Sequence, residues 1–174
     1  THARQFLPAE KPSDTAEQLP CGCPGTAARQ FSKPTKAVPA EPNTIAETPS
    51  ELTHWPVQLK LINPNSPAFA NADLLLAADC TAIALGSFHS QLLAGRSVAI
   101  ACPKLDDPEG YAEKLIQLFR KARSITVARM EVPCCGGLTR LALAARELSG
   151  NKVSLREIIV SAEGKIISNK ELHF

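Results

Sequence analysis

The sequence predicts a three-layer α/β domain with a mostly parallel sheet, preceded by an irregular arm. Apolar runs of strand length alternate with amphipathic stretches of helix length from Trp55 onward. The runs are almost continuously apolar, which is typical of parallel strands covered on both faces. Nine of the fourteen prolines lie within residues 1–56, where apolar periodicity is nearly absent. We therefore expect an arm over residues 1–54 and an α/β domain over residues 55–174.

Four elements are expected in the first half of the domain. Val57 to Ile62 is an apolar stretch that predicts the first strand, and Asp73 to Ala78 predicts a buried strand ending at Asp79. Thr81 to Ala94 has a helical pattern, and Gly95 is a suitable residue to end that helix. Ser97 to Ala101 predicts the next strand, which stops at Cys102 and Pro103.

The second half continues the alternation. Tyr111 to Arg123 predicts a helix, because its apolar residues recur at helical spacing. Ser124 to Val132 predicts a strand and Leu138 to Leu148 another helix, followed by a strand at Glu157 to Val160 and a short one at Lys165 to Ile167. Strands joined by helices indicate right-handed crossovers, so the fold is predicted to be flavodoxin-like or Rossmann-like.

Charge and composition exclude several classes of function. The chain has 19 basic and 17 acidic residues, a balance unlike that of a nucleic-acid-binding protein. No apolar run has the length of a membrane span, and no basic and apolar leader opens the sequence. We expect a soluble, cytoplasmic protein. The start at Thr1 leaves open a processed product, an expression fragment, or the carboxyl-terminal part of a longer polypeptide.

Four of the six cysteines lie just past the ends of predicted strands: Cys80, Cys102, Cys134 and Cys135. The carboxyl ends of parallel strands share one edge of a sheet, where ligands bind, so these thiols are expected to meet there. A pocket of thiolates suits a soft metal ion or an iron–sulfur cluster. Three disulfides in a secreted protein are the alternative. We consider it weaker, because a chain of this size buries a core without cross-links.

The segment Pro133 to Gly137 is the most informative motif. It places two thiols between a strand end and a helix start, and Gly136 and Gly137 allow a ligand to approach the backbone closely. The positive potential at the helix start is expected to favour thiolate over thiol. Side chains of adjacent cysteines diverge, which suits a multi-iron cluster better than a single tetrahedral ion. The alternative is that small cysteines simply pack beneath the helix.

The other cysteines are expected to complete the site. Cys102 is followed by Pro103, a pairing found among cluster ligands. Cys80 is either a ligand or a core residue. Cys21 and Cys23 form a tight Cys-Gly-Cys turn in the arm and are expected to supply further ligands. Their spacing is shorter than that of zinc knuckles and favours iron–sulfur over structural zinc.

The remaining polar residues and motifs give weaker signals. His54 and His89 are predicted to be packing or surface residues. Asp106 and Asp107 are predicted to cap the following helix or to line the rim of a pocket. The chain has no phosphate-binding loop, no dinucleotide-binding glycine motif and no serine nucleophile elbow, so nucleotide-dependent chemistry is not supported.

The order of these motifs resembles the carboxyl-terminal module of ferredoxin-type, 4Fe–4S-binding proteins of anaerobic bacteria and archaea. The resemblance covers about residues 20–167 and rests on five stretches: Pro20–Gly25, Leu52–Leu59, Ala78–Cys80, Ala101–Asp107 and Arg129–Leu138. It implies iron–sulfur association and redox work. The Cys-x-x-Cys-x-x-Cys repeats of ferredoxins are absent, so they either precede Thr1 in the native polypeptide or have been lost.

We therefore expect an electron-transfer module that binds a [4Fe–4S]-type cluster through Cys21, Cys23, Cys80, Cys102, Cys134 and Cys135. The expected partner is a redox protein or an upstream ferredoxin domain of the same polypeptide. Two alternatives stay open. One is an interaction module stabilised by zinc, and the other is a thiol–disulfide protein that uses Cys134 and Cys135.

Overall fold

The computed structural model describes residues 27–31 and 49–173. Its strands are β1 (Arg29–Gln30), β2 (His54–Trp55), β3 (Asp73–Ala78), β4 (Ser97–Ala101), β5 (Ser124–Met130), β6 (Leu155–Val160) and β7 (Ile166–Leu172). Its α-helices are α1 (Asp79–Ala84), α2 (Tyr111–Lys121) and α3 (Gly136–Ser149). None of the described helices is long and apolar enough to cross a membrane.

Strands β3 to β7 form one sheet in the order β4-β3-β5-β6-β7. Strand β3 pairs in parallel with β4 on one side and with β5 on the other, and β6 is parallel to β5. Only the last strand, β7, runs antiparallel to its neighbour β6. Ala78 lies opposite Ala101, and Ala77 lies opposite Ala128. The carboxyl ends of β3, β4 and β5 therefore lie at the same edge, and the mostly parallel α/β fold is confirmed.

The core is mainly aliphatic, because aromatic residues make up only 5% of the chain. Leu74, Leu75 and Leu76 are consecutive in β3, and all three are buried, which requires cover on both faces of the sheet. Leu115 and Phe119 of α2 are fully buried at helical spacing. Each such side chain contributes about 1.5–3 kcal/mol to folding when it leaves water.

The first predicted strand is wrong. Residues 57–62 contact the edge of β4 through a single bridge between Gln58 and Ile100. The chain then turns back, because the N–H groups of Leu61 and Ile62 both donate to the Gln58 carbonyl. The strand in this region is β2, which pairs with β1 of the arm. Although Pro49, Ser50, Glu51 and Leu52 resemble a short capped helical turn in sequence, these residues form no helix, and the Ser50 hydroxyl accepts a hydrogen bond from the Leu52 N–H.

The predicted helix from Thr81 to Ala94 is divided in two. Helix α1 ends at Ala84, and a π-helical turn spans Phe88–Leu93. The turn between β6 and β7 packs against the end of α1: a Cβ atom on Gly164 would lie 2.3 Å from the Ala84 carbonyl oxygen. This turn leads into β7, which is longer than the predicted strand at residues 165–167.

Candidate thiol site at the carboxyl edge of the sheet

The four cysteines of the domain lie where the strand ends predict them. Cys80 is the second residue of α1, just after β3, and Cys102 directly follows β4. Cys134 and Cys135 lie in a 3-10 turn, Pro133–Cys135, that runs into α3. All four are free thiols; Cys80 and Cys134 are exposed, Cys102 is half-buried and Cys135 is buried. The parallel sheet thus brings thiols from three strand ends to one edge.

Three of these thiols are neighbours. The Cys135 thiol lies close enough to Cys134 and Cys80 for both of them to raise its pKa. This follows from the strand order, because β3 and β5 are adjacent in the sheet. Cys102 comes from the far side of β3, and its interactions lie with a different set of groups.

The Cys102 loop nevertheless packs against the start of α3. A Cβ atom on Gly137 would lie 3.3 Å from the Cβ of Pro103. Gly137 therefore leaves room for the loop that carries Cys102. The sequence predicted that the glycines permit a close approach, and at Gly137 the group that approaches is this proline.

Asp106 fixes the backbone of Cys102. Its Oδ2 atom accepts a hydrogen bond from the Cys102 N–H at 2.7 Å and another from the Tyr111 hydroxyl. The Asp106 N–H donates to the Cys102 carbonyl at 2.9 Å. The predicted helix-capping role is wrong, because Gly110 occupies the N-cap of α2 without a side-chain cap. Burial and the Asp106 carboxylate raise the pKa of Tyr111, so its hydroxyl keeps its proton and remains a donor.

Burial raises the pKa of the Cys135 thiol, and the charges of Cys134 and Cys80 raise it further. A backbone hydrogen bond at Met130 acts in the opposite direction but does not prevail. The expectation that the start of α3 favours the thiolate is wrong for Cys135, which is only 5% exposed. In the metal-free protein this residue is a thiol at neutral pH.

A pocket of about 660 Å³ lies beside Cys80. Its lining is mostly apolar: Asp79, Cys80, Ile83, Ala84 and Ala162. Gln58 donates from Nε2 to Asp79 Oδ2 at 3.4 Å, yet Asp79 Oδ1 and Gln58 Oε1 are buried and have no hydrogen-bond partner. Burial and the nearby Asp106 carboxylate raise the pKa of Asp79. The sequence signal for this residue is a carboxylate placed directly after five consecutive apolar residues, Leu74 to Ala78.

Both histidines considered in the sequence analysis have backbone hydrogen-bond partners. His54 is buried, and its Nε2 accepts a hydrogen bond from the Val98 N–H at 3.1 Å. Its ring packs edge-to-face on Phe69. His89 Nδ1 accepts from the Glu51 N–H at 3.0 Å. These contacts support the prediction that both histidines are packing or surface residues.

The donor chemistry at the edge fits a thiolate-ligated group, but the described thiols do not form a compact site. Within residues 27–31 and 49–173, no three His, Cys, Asp or Glu side chains are arranged to hold a metal ion. A tetrahedral zinc site needs its ligands about 2.3 Å from one point. The ligands of a multi-iron cluster are spread around several metal atoms. The predicted ligands Cys21 and Cys23 lie outside the described residues.

Comparisons with known proteins identify the domain by its fold. An uncharacterized protein of Archaeoglobus fulgidus is 28% identical over 117 residues, which cover 67% of this chain and 83% of that protein. No solved structure matches the chain significantly. A family model described as a Rossmann-like domain matches residues 66–174. Neither description assigns a cofactor. The match covers more than half of the chain, which therefore belongs to this Rossmann-like domain family.

Proposed function

We propose that the protein is a redox module that holds a [4Fe–4S]-type cluster at the carboxyl edge of its sheet. The observation that carries the proposal is that four free thiols follow three strand ends at the same edge of the sheet, and that Cys80, Cys134 and Cys135 are neighbours there. Cys80, Cys102, Cys134 and Cys135 are the ligands available in the domain, and Cys21 and Cys23 of the arm are the further candidates. A bound cluster would supply one-electron transfer.

The domain positions the candidate cysteine ligands and sets their environment. Cys80 and Cys134 expose their thiols, whereas Cys135 anchors the turn from inside the core. Asp106 holds Cys102 through both of its backbone groups. Partial burial and backbone N–H groups near the ligands are the means by which a protein sets the reduction potential of such a cluster. The physiological partner in this proposal is a redox protein or an upstream ferredoxin domain.

Anaerobic reconstitution with iron and sulfide tests the proposal. We expect the wild-type chain to develop a brown visible absorption and, after reduction, an electron paramagnetic resonance signal. The double variant Cys134→Ala/Cys135→Ala should lose both signals. Val132→Ala is the matched control, because it changes the same turn and keeps every thiol. Full iron content in the double cysteine variant would show that the site is wrongly assigned.

A thiol–disulfide function is the second candidate, favoured by the contact between the exposed Cys134 and the buried Cys135. In that reaction the Cys134 thiolate attacks a disulfide substrate and releases one of its thiols. Cys135 then closes an S–S bond with Cys134 and releases the second thiol. Cys134→Ser would abolish this turnover and leave metal content unchanged. Protein that carries zinc without iron or sulfide would instead support the zinc alternative.

A further inference from the structure

A buried carboxylate contacts both ends of the segment that carries Cys134 and Cys135. Glu157 is the third residue of β6 and is only 3% exposed. Its Oε1 atom accepts a hydrogen bond from Arg129 Nε at 2.9 Å and another from the Thr139 hydroxyl at 2.8 Å. Arg129 precedes the two cysteines in β5, and Thr139 follows them in α3. A single oxygen atom therefore joins the strand that enters this segment to the helix that leaves it.

The start of α3 has little local stabilisation of its own. The helix begins with Gly136 and Gly137, and glycine is among the weakest helix formers. Cys135 at the N-cap forms no side-chain cap hydrogen bond, and the first turn contains no acidic residue. Both features would normally stabilise a helix at its amino end. The position of this first turn therefore depends on contacts with the rest of the fold, such as the bond from Thr139 to Glu157.

The strand side of the segment is also held in place. Arg129 Nη1 donates to the Met130 carbonyl at 3.1 Å, so the guanidinium that binds Glu157 also binds the backbone at the end of β5. The Glu131 N–H donates to the Val160 carbonyl at 2.8 Å. The chain is thus attached to β6 up to this point. We call the residues that follow, 132–135, the thiol turn.

Glu157 is well suited to hold this turn because it carries a charge. Burial alone would raise the pKa of Glu157, but the hydrogen bonds from Arg129 and Thr139 and the charges of Arg129 and Lys170 hold it below its ordinary value. Hydrogen bonds to an ionised carboxylate are stronger than those to a neutral group. Lys170 lies 3.5 Å from the second oxygen, Oε2, but it reaches Glu157 from β7 and its side chain is 58% exposed.

We propose that Glu157 is the positioning residue of the thiol turn, which it clamps so that Cys134 stays exposed and Cys135 stays buried. With both ends of this short turn fixed, the buried thiol reaches solvent only when a hydrogen bond to Glu157 breaks. The inference rests on the proposed function for the role of the two thiols. Cys134 is the one offered first to a cluster or a disulfide substrate, and Cys135 follows when the turn opens. The clamp itself does not require a cluster.

Iodoacetamide alkylation of the full, reduced, metal-free chain tests the clamp, with the rate at each cysteine measured by mass spectrometry. Thr139→Val removes the hydroxyl, keeps the size of the side chain and leaves the pair between Arg129 and Glu157 intact. We expect the rate at Cys135 to rise about tenfold relative to that at Cys80, because a lost hydrogen bond to a charged group favours opening of the turn. Thr139→Ser restores the hydroxyl and should return the ratio to its wild-type value.

Lys170→Gln is the matched control. It removes a charge from the same carboxylate without touching either end of the thiol turn, so the ratio of the two rates should stay unchanged. Repeating the alkylation of Thr139→Val in low urea separates local opening from global unfolding. Local opening exposes little surface, so the rate at Cys135 should hardly depend on urea, whereas exposure by global unfolding would rise steeply with it.

Four results would overturn the clamp: an unchanged ratio in Thr139→Val, no recovery in Thr139→Ser, an equal increase in Lys170→Gln, or a steep dependence on urea. The outcome for the proposed function is separate, since iron uptake is measured on a different sample. A chain that binds no iron but shows the effect at Thr139 retains the clamp without the cluster. A chain that binds iron with an unchanged ratio retains the redox proposal without the clamp.

Discussion

Asp106 and Cys102 are joined by two hydrogen bonds, and the backbone N–H of each residue donates one of them. The Cys102 N–H donates to Asp106 Oδ2 at 2.7 Å, and the Asp106 N–H donates to the Cys102 carbonyl at 2.9 Å. The buried Tyr111 hydroxyl adds a third bond on the same carboxylate oxygen. A single aspartate therefore closes the loop that presents one of the candidate ligands and links it to the first residue of α2.

We expect Asp106→Ala to destabilise the fold by about 2–3 kcal/mol. The substitution removes a charge-assisted hydrogen bond and leaves the buried Tyr111 hydroxyl without its acceptor. Urea unfolding followed by circular dichroism measures the change. Asp107→Ala is the control, since the neighbouring carboxylate pairs with Lys60 on the surface and should contribute little. Equal effects of the two variants would contradict this role of Asp106.

Gly164→Ala is expected to be among the most damaging glycine substitutions in the domain. Its backbone has a φ of +78°, and the new methyl group would lie 2.3 Å from the Ala84 carbonyl oxygen. The left-handed conformation alone costs an alanine about 1–2 kcal/mol. Gly95→Ala isolates this backbone cost, because Gly95 has a φ of +75° with nothing within 4 Å. The difference between the two free energies of unfolding therefore measures the clash.

A clash with the backbone of α1 should also reach the candidate site. Helix α1 carries Cys80, so displacing its end is expected to change the reactivity of that thiol in Gly164→Ala and not in Gly95→Ala. Alkylation followed by mass spectrometry gives the Cys80 rate in each variant. A Gly164→Ala protein as stable as Gly95→Ala would show that the turn before β7 does not press on α1.

The adjacent cysteines should differ in reactivity towards iodoacetamide in the reduced, metal-free protein. Cys134 is exposed, whereas burial both hides Cys135 and raises the pKa of its thiol. Because the thiolate is the reacting form, we expect Cys135 to react at least about tenfold more slowly at neutral pH. Its rate should also keep rising above the pH at which an ordinary thiol has fully ionised. Equal rates at the two positions would contradict the burial of Cys135.

His54 should make the fold less stable at acidic pH. Burial lowers the pKa of His54 below its ordinary value of about 6.5, so the unfolded chain binds a proton more readily than the folded one. Stability is therefore full above about pH 6.5 and falls as the pH drops towards the lowered folded-state pKa. His54→Gln keeps an acceptor for the Val98 N–H without titrating. Urea midpoints measured between pH 8 and pH 5 should decline less in this variant than in wild type.

A different result would contradict the role of His54 in the acid sensitivity of the fold. If wild type and His54→Gln lost stability in parallel over this range, the acid sensitivity would have to come from other groups. Protonation of His54 would place a hydrogen on both ring nitrogens and so abolish the hydrogen bond from the Val98 N–H, which nuclear magnetic resonance of the imidazole would detect.

The sequence by itself determined the layered α/β architecture. A parallel strand that is buried on both faces consists almost entirely of apolar residues, and this is visible in the sequence. Residues 73–78 and 97–101 are nearly all apolar, and both are central strands. It also placed four cysteines at strand ends, and parallel strands require those ends to share an edge. The apolar pattern of residues 57–62 predicted a strand that does not form. This stretch makes one β-bridge and then turns.

Tertiary structure decided which of these groups are neighbours. The order β4-β3-β5 places the strand that leads to Cys80 between the strands that lead to Cys102 and to Cys135, and strand order has no local signature in the chain. The break after Ala84 coincides with the packing of Gly164, which lies 80 residues further along the sequence. Contacts between distant residues also bring Gln58 to Asp79 and leave Asp79 Oδ1 without a donor. Local patterns report which residues leave water, whereas the partners they meet depend on the packing of the whole chain.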